Sequence, residues 1–439
     1  MPPSLDLGPA TLKRLLRGDF VRHGALVFGA SMLMNVLNYV FNFAVSRHVG
    51  VENFATLSSL TSAIMILSIP ASILNLIVVK YAAEFKALGE LDRLDELATA
   101  VLRLALSFAA LALLLGFVLR GLLASFLNIR DEASVVLTLF VLTFAVATPS
   151  LRGILQGRQD FKRFSLSLVI EAVLKTGLAV LFVYNGYGVA GAMMGWALGT
   201  ASAVLFTAVV SGALSPRVRK TALSIDYRRL IKTSIGVGLG TGALTVLSFI
   251  DVPLVKHYFP AHDAGLYAAA NLTGKIVLFV VGFVPLVLLP KAVDASRRGR
   301  APLPLLLQAA GATVLISGLV LALFCAFPER VITLLAGPAF RDAAPFVFQY
   351  DFAMALLAVV TVVVNYKIGL HRFSFVVPLG AGLVFEVLGI ILYHGSLWSV
   401  IHVLLFGNGI VCAVLVASSF HTRASGWPVG VRLARAVNK

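Results

Sequence analysis

Two ionisable side chains stand inside long apolar runs. Asp251 lies in GVGLGTGALTVLSFIDVPLVKHYF and Lys275 in PAHDAGLYAAANLTGKIVLFVVGFVPLVLLPK, the two runs filling Gly236 to Lys291. Each run is long enough to cross about 30 Å of hydrocarbon. A charge at such depth costs roughly 2.5–3.5 kcal/mol on insertion scales, so it faces a partner, a wet cavity or a ligand. A carboxyl such as Asp251 can load and release a proton, or hold a sodium ion together with nearby carbonyls. An ammonium such as Lys275 is a point charge suited to an anion. Static pairing of Asp251 with Lys256 or Lys275 is the structural alternative.

Other charges extend the set. Lys175 and Glu386 count to mid-membrane, Asp351 with Asp251 to the outer third, and Glu171 with Arg103 to the inner third. Lys175 and Lys275 together would present cations to an anionic ligand at mid-membrane depth. Glu171 and Lys175, spaced i,i+4, would instead neutralise each other on one helix face. Arg103 is near enough to an interface to snorkel. Asp351, Glu386 and Glu171 join Asp251 as candidates for ion coupling. Arg47 and Lys256, at matching outer corners, would gate an anionic ligand or anchor the interface. Gly236, Gly238, Gly240 and Gly242 alternate along one span and make it a candidate hinge. Pro70, Pro149, Pro285 and Pro378 are further kink candidates.

The elements that must hold these groups are helices. Hydrophobic residues make up 59% of the 439-residue chain and charged residues 13%, against roughly 25% charged in soluble domains. Apolar segments fall near 24–46, 56–79, 98–119, 134–156, 164–184, 188–212, 233–255, 264–289, 303–327, 344–366, 373–393 and 397–420. The expected architecture is an all-α membrane protein of about twelve transmembrane helices in two six-helix bundles. Its parts are an amphipathic lead-in 1–23, a first bundle 24–214, a basic linker 215–232, a second bundle 233–420 and a tail 421–439. Most Lys and Arg fall on alternate joints; the other joints hold only Arg47, Arg120, Arg130, Lys256, Arg330 and Arg341. By the positive-inside rule both termini are cytoplasmic. That placement turns the net charge of +16 into a topology signal beside anionic lipid rather than a nucleic-acid footprint.

Enzymatic signatures are missing. The sequence has no Gly-rich phosphate loop, no histidine metal set and no nucleophile elbow. Cys325 and Cys412 both lie in apolar segments and imply no disulfide framework. The expectation is a transporter, not an enzyme, with no metal or bound cofactor beyond an H+ or Na+ coupling ion.

A weak internal repeat runs at an offset of 209 residues. Arg47-His48 falls on Lys256-His257, Arg163-Phe164-Ser165 on Arg372-Phe373-Ser374, Asn42 on Asp251, Gln156 on Asn365, and Tyr184 and Gly186 on Tyr393 and Gly395. Six spans per half give halves of parallel topology, and transporters built this way bind substrate between them.

Three stretches carry a resemblance. VSRHVGVENFATLSSL resembles the Arg-x-Leu-Gly-(x)3-Phe-Gly pattern that opens polysaccharide-export flippases, with Ala55 where that family has Gly. DVPLVKHYFPAHDAGLYAAANLTGKI is similar to their seventh-to-eighth span signature, and LLAGPAFRDAAPFVFQYDFAMALLAV to the approach to their tenth. The chain thus resembles the O-antigen-type oligosaccharide flippases of the multidrug/oligosaccharidyl-lipid/polysaccharide (MOP) exporter superfamily. The resemblance implies a V-shaped pair of bundles around a central cationic cavity, working by alternating access. It implies a bacterial inner-membrane flippase for a polyprenyl-diphosphate-linked oligosaccharide in polysaccharide export. Partners would be membrane lipids and the polysaccharide polymerase or export machinery. Two rivals stand beside it: an ion-coupled multidrug or organic-cation antiporter of the same superfamily, and a membrane polymerase or ligase. The latter would need a sizeable outer loop, and the outer joints are short.

Overall fold

The computed structural model describes residues 19–214, 227–297 and 301–421. Most of the lead-in, of the basic linker and of the tail lies outside them, as do Arg217, Arg219, Lys220, Arg298 and Arg300. The described residues are helical, without strands. In chain order the helices are α1 (Asp19–Leu67), α2 (Ile69–Ala87), α3 (Leu91–Phe126), α4 (Glu132–Gly157), α5 (Phe161–Phe182) and α6 (Gly188–Val210). The second half holds α7 (Tyr227–Phe249), α8 (Asp251–Tyr258), α9 (Ala261–Val281), α10 (Phe283–Arg297), α11 (Leu303–Ala326) and α12 (Pro328–Leu335). It ends with α13 (Ala344–Gly369), α14 (Val376–Leu392) and α15 (Leu397–His421).

Nine runs among the described residues are long and apolar enough to cross a membrane, and two of them hold more than one crossing. The 44-residue run Gly24–Leu67 contains Gly50 at φ 76°, ψ 171°, a conformation open to glycine and few others. Asn35 and Met65 line one cavity, so the chain folds back there. The 50-residue run Phe161–Val210 reverses at Gly186, φ 88°, and brings Gly195 and Gly199 against Ala179 and Lys175. With α2 completing the second crossing and α14 supplying a short one, twelve spanning elements result.

Proline places the other bends. In a helix a proline ring collides with the carbonyl four residues earlier. Pro253 therefore ends α7 at Phe249, and Pro285 ends α9 at Val281. At the repeat offset Pro253 corresponds to Ala44, and α1 runs through that position unbroken. In this conformation α7 is continuous across Gly236, Gly238, Gly240 and Gly242, and these glycines are close-packed. A Cβ at Gly236 or Gly240 would strike the rings of Phe373 or Phe375, and one at Gly238 or Gly242 would press on Ile73 or Ile69. The second pair faces the first bundle.

The two halves meet most closely at the end that carries Gly50. An apolar plug there draws Phe41, Val45, Phe54 and Leu57 from the first half onto Leu266, Ala269 and Phe340 of the second. Polar clasps surround it. Ser46 Oγ donates to the Ala336 carbonyl at 2.9 Å, and Arg47 Nη2 to the carbonyls of Thr333 and Leu334 at 3.0 Å each. Asn128 Nδ2 donates to the His257 carbonyl at 3.0 Å, and His257 Nδ1 to that of Phe126 at 2.6 Å. The closest backbone approach is at Gly265, where a Cβ would lie 2.2 Å from the Val51 carbonyl oxygen. A backbone oxygen cannot move aside, whereas the Cδ1 tip of Ile73 near Gly238 can. Gly265→Ala is therefore expected to cost about 1–3 kcal/mol as overpacking and to lower the unfolding midpoint in detergent clearly more than Gly238→Ala; equal shifts would show that the contact at Gly265 relaxes.

Candidate functional site

Lys175 and Lys275, from opposite halves, line one cavity of about 170 Å³ between the bundles, beside Asn35, Asn38, Asn42, Tyr39 and Trp196. Among the described residues no carboxylate is in its walls.

Helix packing fixes each lysine. The Lys175 backbone lies against Gly199, where a Cβ would come within 2.5 Å of its nitrogen, so α5 and α6 pack at backbone contact as small residues allow. Its ammonium donates to Asn38 Oδ1 at 3.0 Å and sits 3.7 Å from the centroid of the Trp196 ring, with Phe41 at 4.9 Å. Lys275 follows Gly274, itself packed on Tyr350 and Met354, and its ammonium lies 3.4 Å from the Phe249 ring centroid. Phe249 is the residue at which Pro253 ends α7. Ring faces attract a desolvated cation by about 2 kcal/mol, and they leave its charge uncancelled. Among the described residues neither ammonium forms an ion pair with a carboxylate.

The expected neutralisation of Lys175 by Glu171 is replaced by another pairing. Glu171 Oε2 accepts from Arg152 Nη2 at 2.7 Å, and Arg152 also donates to Ser167 Oγ at 2.9 Å and the Ser167 carbonyl at 2.8 Å. Arg152 is a buried residue of α4. Its planar fork reaches the carboxylate, the Ser167 hydroxyl and the Ser167 carbonyl at once, geometry an ammonium does not have.

A second polar centre lies inside the second half, behind Lys275. Asp251, fully buried at the start of α8, accepts at Oδ2 from Tyr267 and Tyr350, each at 2.8 Å, and Asn271 Nδ2 donates to the Tyr350 hydroxyl at 2.5 Å. Thr273 Oγ1 donates to Asp351 Oδ1 at 2.8 Å. Asp251 Oδ1, Asp351 Oδ2, Asn408 Oδ1 and both carboxyl oxygens of Glu386 are buried without hydrogen-bond partners among the described residues. Buried acceptors left bare are costly, and a proton or a cation would satisfy them. Among the described residues no three His, Cys, Asp or Glu side chains form a metal-ligand set.

The remaining candidates lie elsewhere. Arg103 is exposed on the outside of α3, away from the cavity. Arg47 is spent on the last carbonyls of α12, where a cation also meets the negative helix end. Its repeat partner Lys256 is 3% exposed and opens on a separate pocket at the Gly50 end.

Several residues escaped the reading of charges alone: Tyr267, Tyr350, Asn271, Asn38 and Trp196. A signal was present. Tyr267, Asn271 and Lys275 recur every fourth residue, and Asn35, Asn38 and Asn42 follow i, i+3, i+7 spacing, so each set forms a polar stripe on an apolar helix.

This arrangement of six-span halves around a mid-membrane cavity is the fold of the MOP-superfamily transporters. Over 91% of this chain and 99% of the other, it matches an inward-facing multidrug resistance MATE family transporter at TM-score 0.75 and 16% identity. It matches the lipid II flippase MurJ in an inward closed conformation at TM-score 0.67 and 11% identity, over 91% and 87% of the two chains. A MOP superfamily transporter from Pyrococcus furiosus Vc1, noted for reverse polarity of its binding pocket, matches at TM-score 0.61 and 18% identity over 93% and 97%. By sequence, residues 20–294 match the family described as polysaccharide biosynthesis protein. The chain belongs to that family, and nine runs of its described residues are long and apolar enough to cross a membrane. No curated protein matches it in sequence.

The Asp251 network gives a direct check. Tyr350→Phe removes one donor to Asp251 and strands Asn271, and is expected to destabilise the protein by about 1–3 kcal/mol. Thermal unfolding of the purified chain measures it, and an unchanged midpoint would mean the network is not formed.

Proposed function

We propose that the protein flips a polyprenyl-diphosphate-linked oligosaccharide across the bacterial inner membrane by alternating access, during assembly of a cell-surface polysaccharide such as O-antigen or exopolysaccharide. The observation that carries this reading is the pair Lys175 and Lys275 in one cavity without a carboxylate. A diphosphate must cross the hydrocarbon depth, and two fixed, uncancelled ammonium groups lower the cost of its passage. The small amides around them offer donors and acceptors to sugar hydroxyls. An organic cation would call for acid in this cavity, and the lining supplies none. In the same reading the basic joints face the cytoplasm and both termini lie there, so the plugged Gly50 end faces outward. Asp251, with Asp351 and Glu386, is the place where a proton or sodium ion couples to the cycle.

Purified protein in liposomes, given a fluorescent polyprenyl-diphosphate oligosaccharide and a proton or sodium gradient, tests the proposal. Protein-dependent appearance of the sugar in the opposite leaflet is expected. Lys275→Ala should slow it by about tenfold or more, the equivalent of about 1.4 kcal/mol, while the folded protein is still recovered. Gradient-driven uptake of a dye cation with no lipid movement would favour the antiporter. Asp251→Asn is expected to leave downhill flipping measurable but to remove its dependence on the gradient; retained dependence would take Asp251 out of the coupling role.

A further inference from the structure

A second pocket, of about 770 Å³, opens at the Gly50 end of the molecule on the far side of the apolar plug from the lysine cavity. That volume is within the range of about 300–1,000 Å³ typical of small-molecule sites. Both halves build it: Asn53 and Thr56 with the Asn128 and Tyr187 corners of the first, and Lys256 with Phe259 of the second. Its corners are held firmly. Asn128 stands at φ 49°, a conformation asparagine tolerates better than most, and its amide ties the corner to the His257 carbonyl. Asp131 caps α4, accepting from Ala133 N at 3.1 Å and Ser134 Oγ at 2.5 Å.

One group in this wall is unexplained by packing. Lys256 is 97% buried by its own chain (3% exposed), yet its ammonium makes no hydrogen bond and no ion pair among the described residues. Glu52, in the same lining, attracts it without closing a pair. A buried, unpartnered ammonium is costly unless an anion or water meets it. Around it are amides, hydroxyls and two aromatic rings, and Tyr187 is 61% exposed. Planar amides beside an aromatic face suit a sugar ring, which has hydroxyls at its edge and C–H groups on its face. The cations of this lining, the buried Lys256 and Arg130, suit an acidic substituent.

We infer that this pocket is a second ligand site, seating an acidic saccharide with its carboxylate or phosphate on Lys256 and a sugar face on Tyr187. The transporter reading supplies only the source of the sugar: a glycan that has passed the plug would find this seat next. The site itself stands on its own residues.

The test uses the full chain in nanodiscs and two soluble probes, a uronic-acid tetrasaccharide and a neutral glucose tetrasaccharide, each also made with a photoreactive diazirine. Saturable binding of the acidic probe is expected, tighter than that of the neutral one by about tenfold. Lys256→Gln should erase that preference and Lys256→Arg should restore much of it. Tyr187→Ala, at an exposed side chain whose loss does not threaten folding, should weaken both probes. Cross-links should map to 124–134 and 186–189. Equal binding of the two probes, indifference to Lys256→Gln, or cross-links confined to 35–42 and 268–279 would overturn the inference. Binding that follows the expected pattern in a protein that moves no lipid in liposomes would sustain this site and refute the flippase reading.

Discussion

The structure depends on two lysine side chains held among ring faces between its halves, neither of them in an ion pair among the described residues. Lys175 and Lys275 are surrounded by ring faces and one amide oxygen, with carboxylates held out of their cavity. The nearest acid on the Lys175 helix, Glu171, is diverted to Arg152. The nearest acid to Lys275, Asp251, is turned onto Tyr267 and Tyr350. Both diversions have the same effect. A cation next to a carboxylate would be a structural pair, whereas a cation next to a π face keeps most of its attraction for an incoming anion.

Proline and glycine arrange the rest around that constraint. Pro253 stops α7 at Phe249, which sets the ring under Lys275 and begins α8 on Asp251. One backbone break therefore serves both polar centres. Pro285 bends the next crossing at Gly282. Gly195 and Gly199 bring α6 onto α5, and Gly265 brings α9 onto Val51. The plug and its clasps then close the Gly50 end, where Ser46, Arg47 and Asn128 hold carbonyls across the halves.

Much of the architecture was legible in the sequence because lipid leaves so few options. Apolar length set the crossings, and the offset of 209 matched Gly50 to Phe259, the turns that follow the first span of each half. Two features were not legible. The break at Pro253 was not singled out beside the candidate hinge glycines of α7, although glycine only permits a bend while proline forces one; Ile69, Ile73, Phe373 and Phe375 pack on the glycine stretch. The lysines were readable as buried charges, yet their partners were not, because ring contacts such as Trp196 and Phe249 leave no charge pattern. Arg152 was not singled out, since its acid, Glu171, lies on another helix.

The central claim is that the cavity recognises an anionic headgroup through Lys175 and Lys275. Its most direct test is the affinity of the full chain for polyprenyl diphosphate against the matching polyprenol, measured in detergent for the natural protein and for Lys175→Gln/Lys275→Gln. The account predicts a preference for the diphosphate of about tenfold or more, which collapses in the double variant while polyprenol binding is retained. Equal affinity for diphosphate and alcohol in the natural protein, or a preference that survives loss of both lysines, would contradict it.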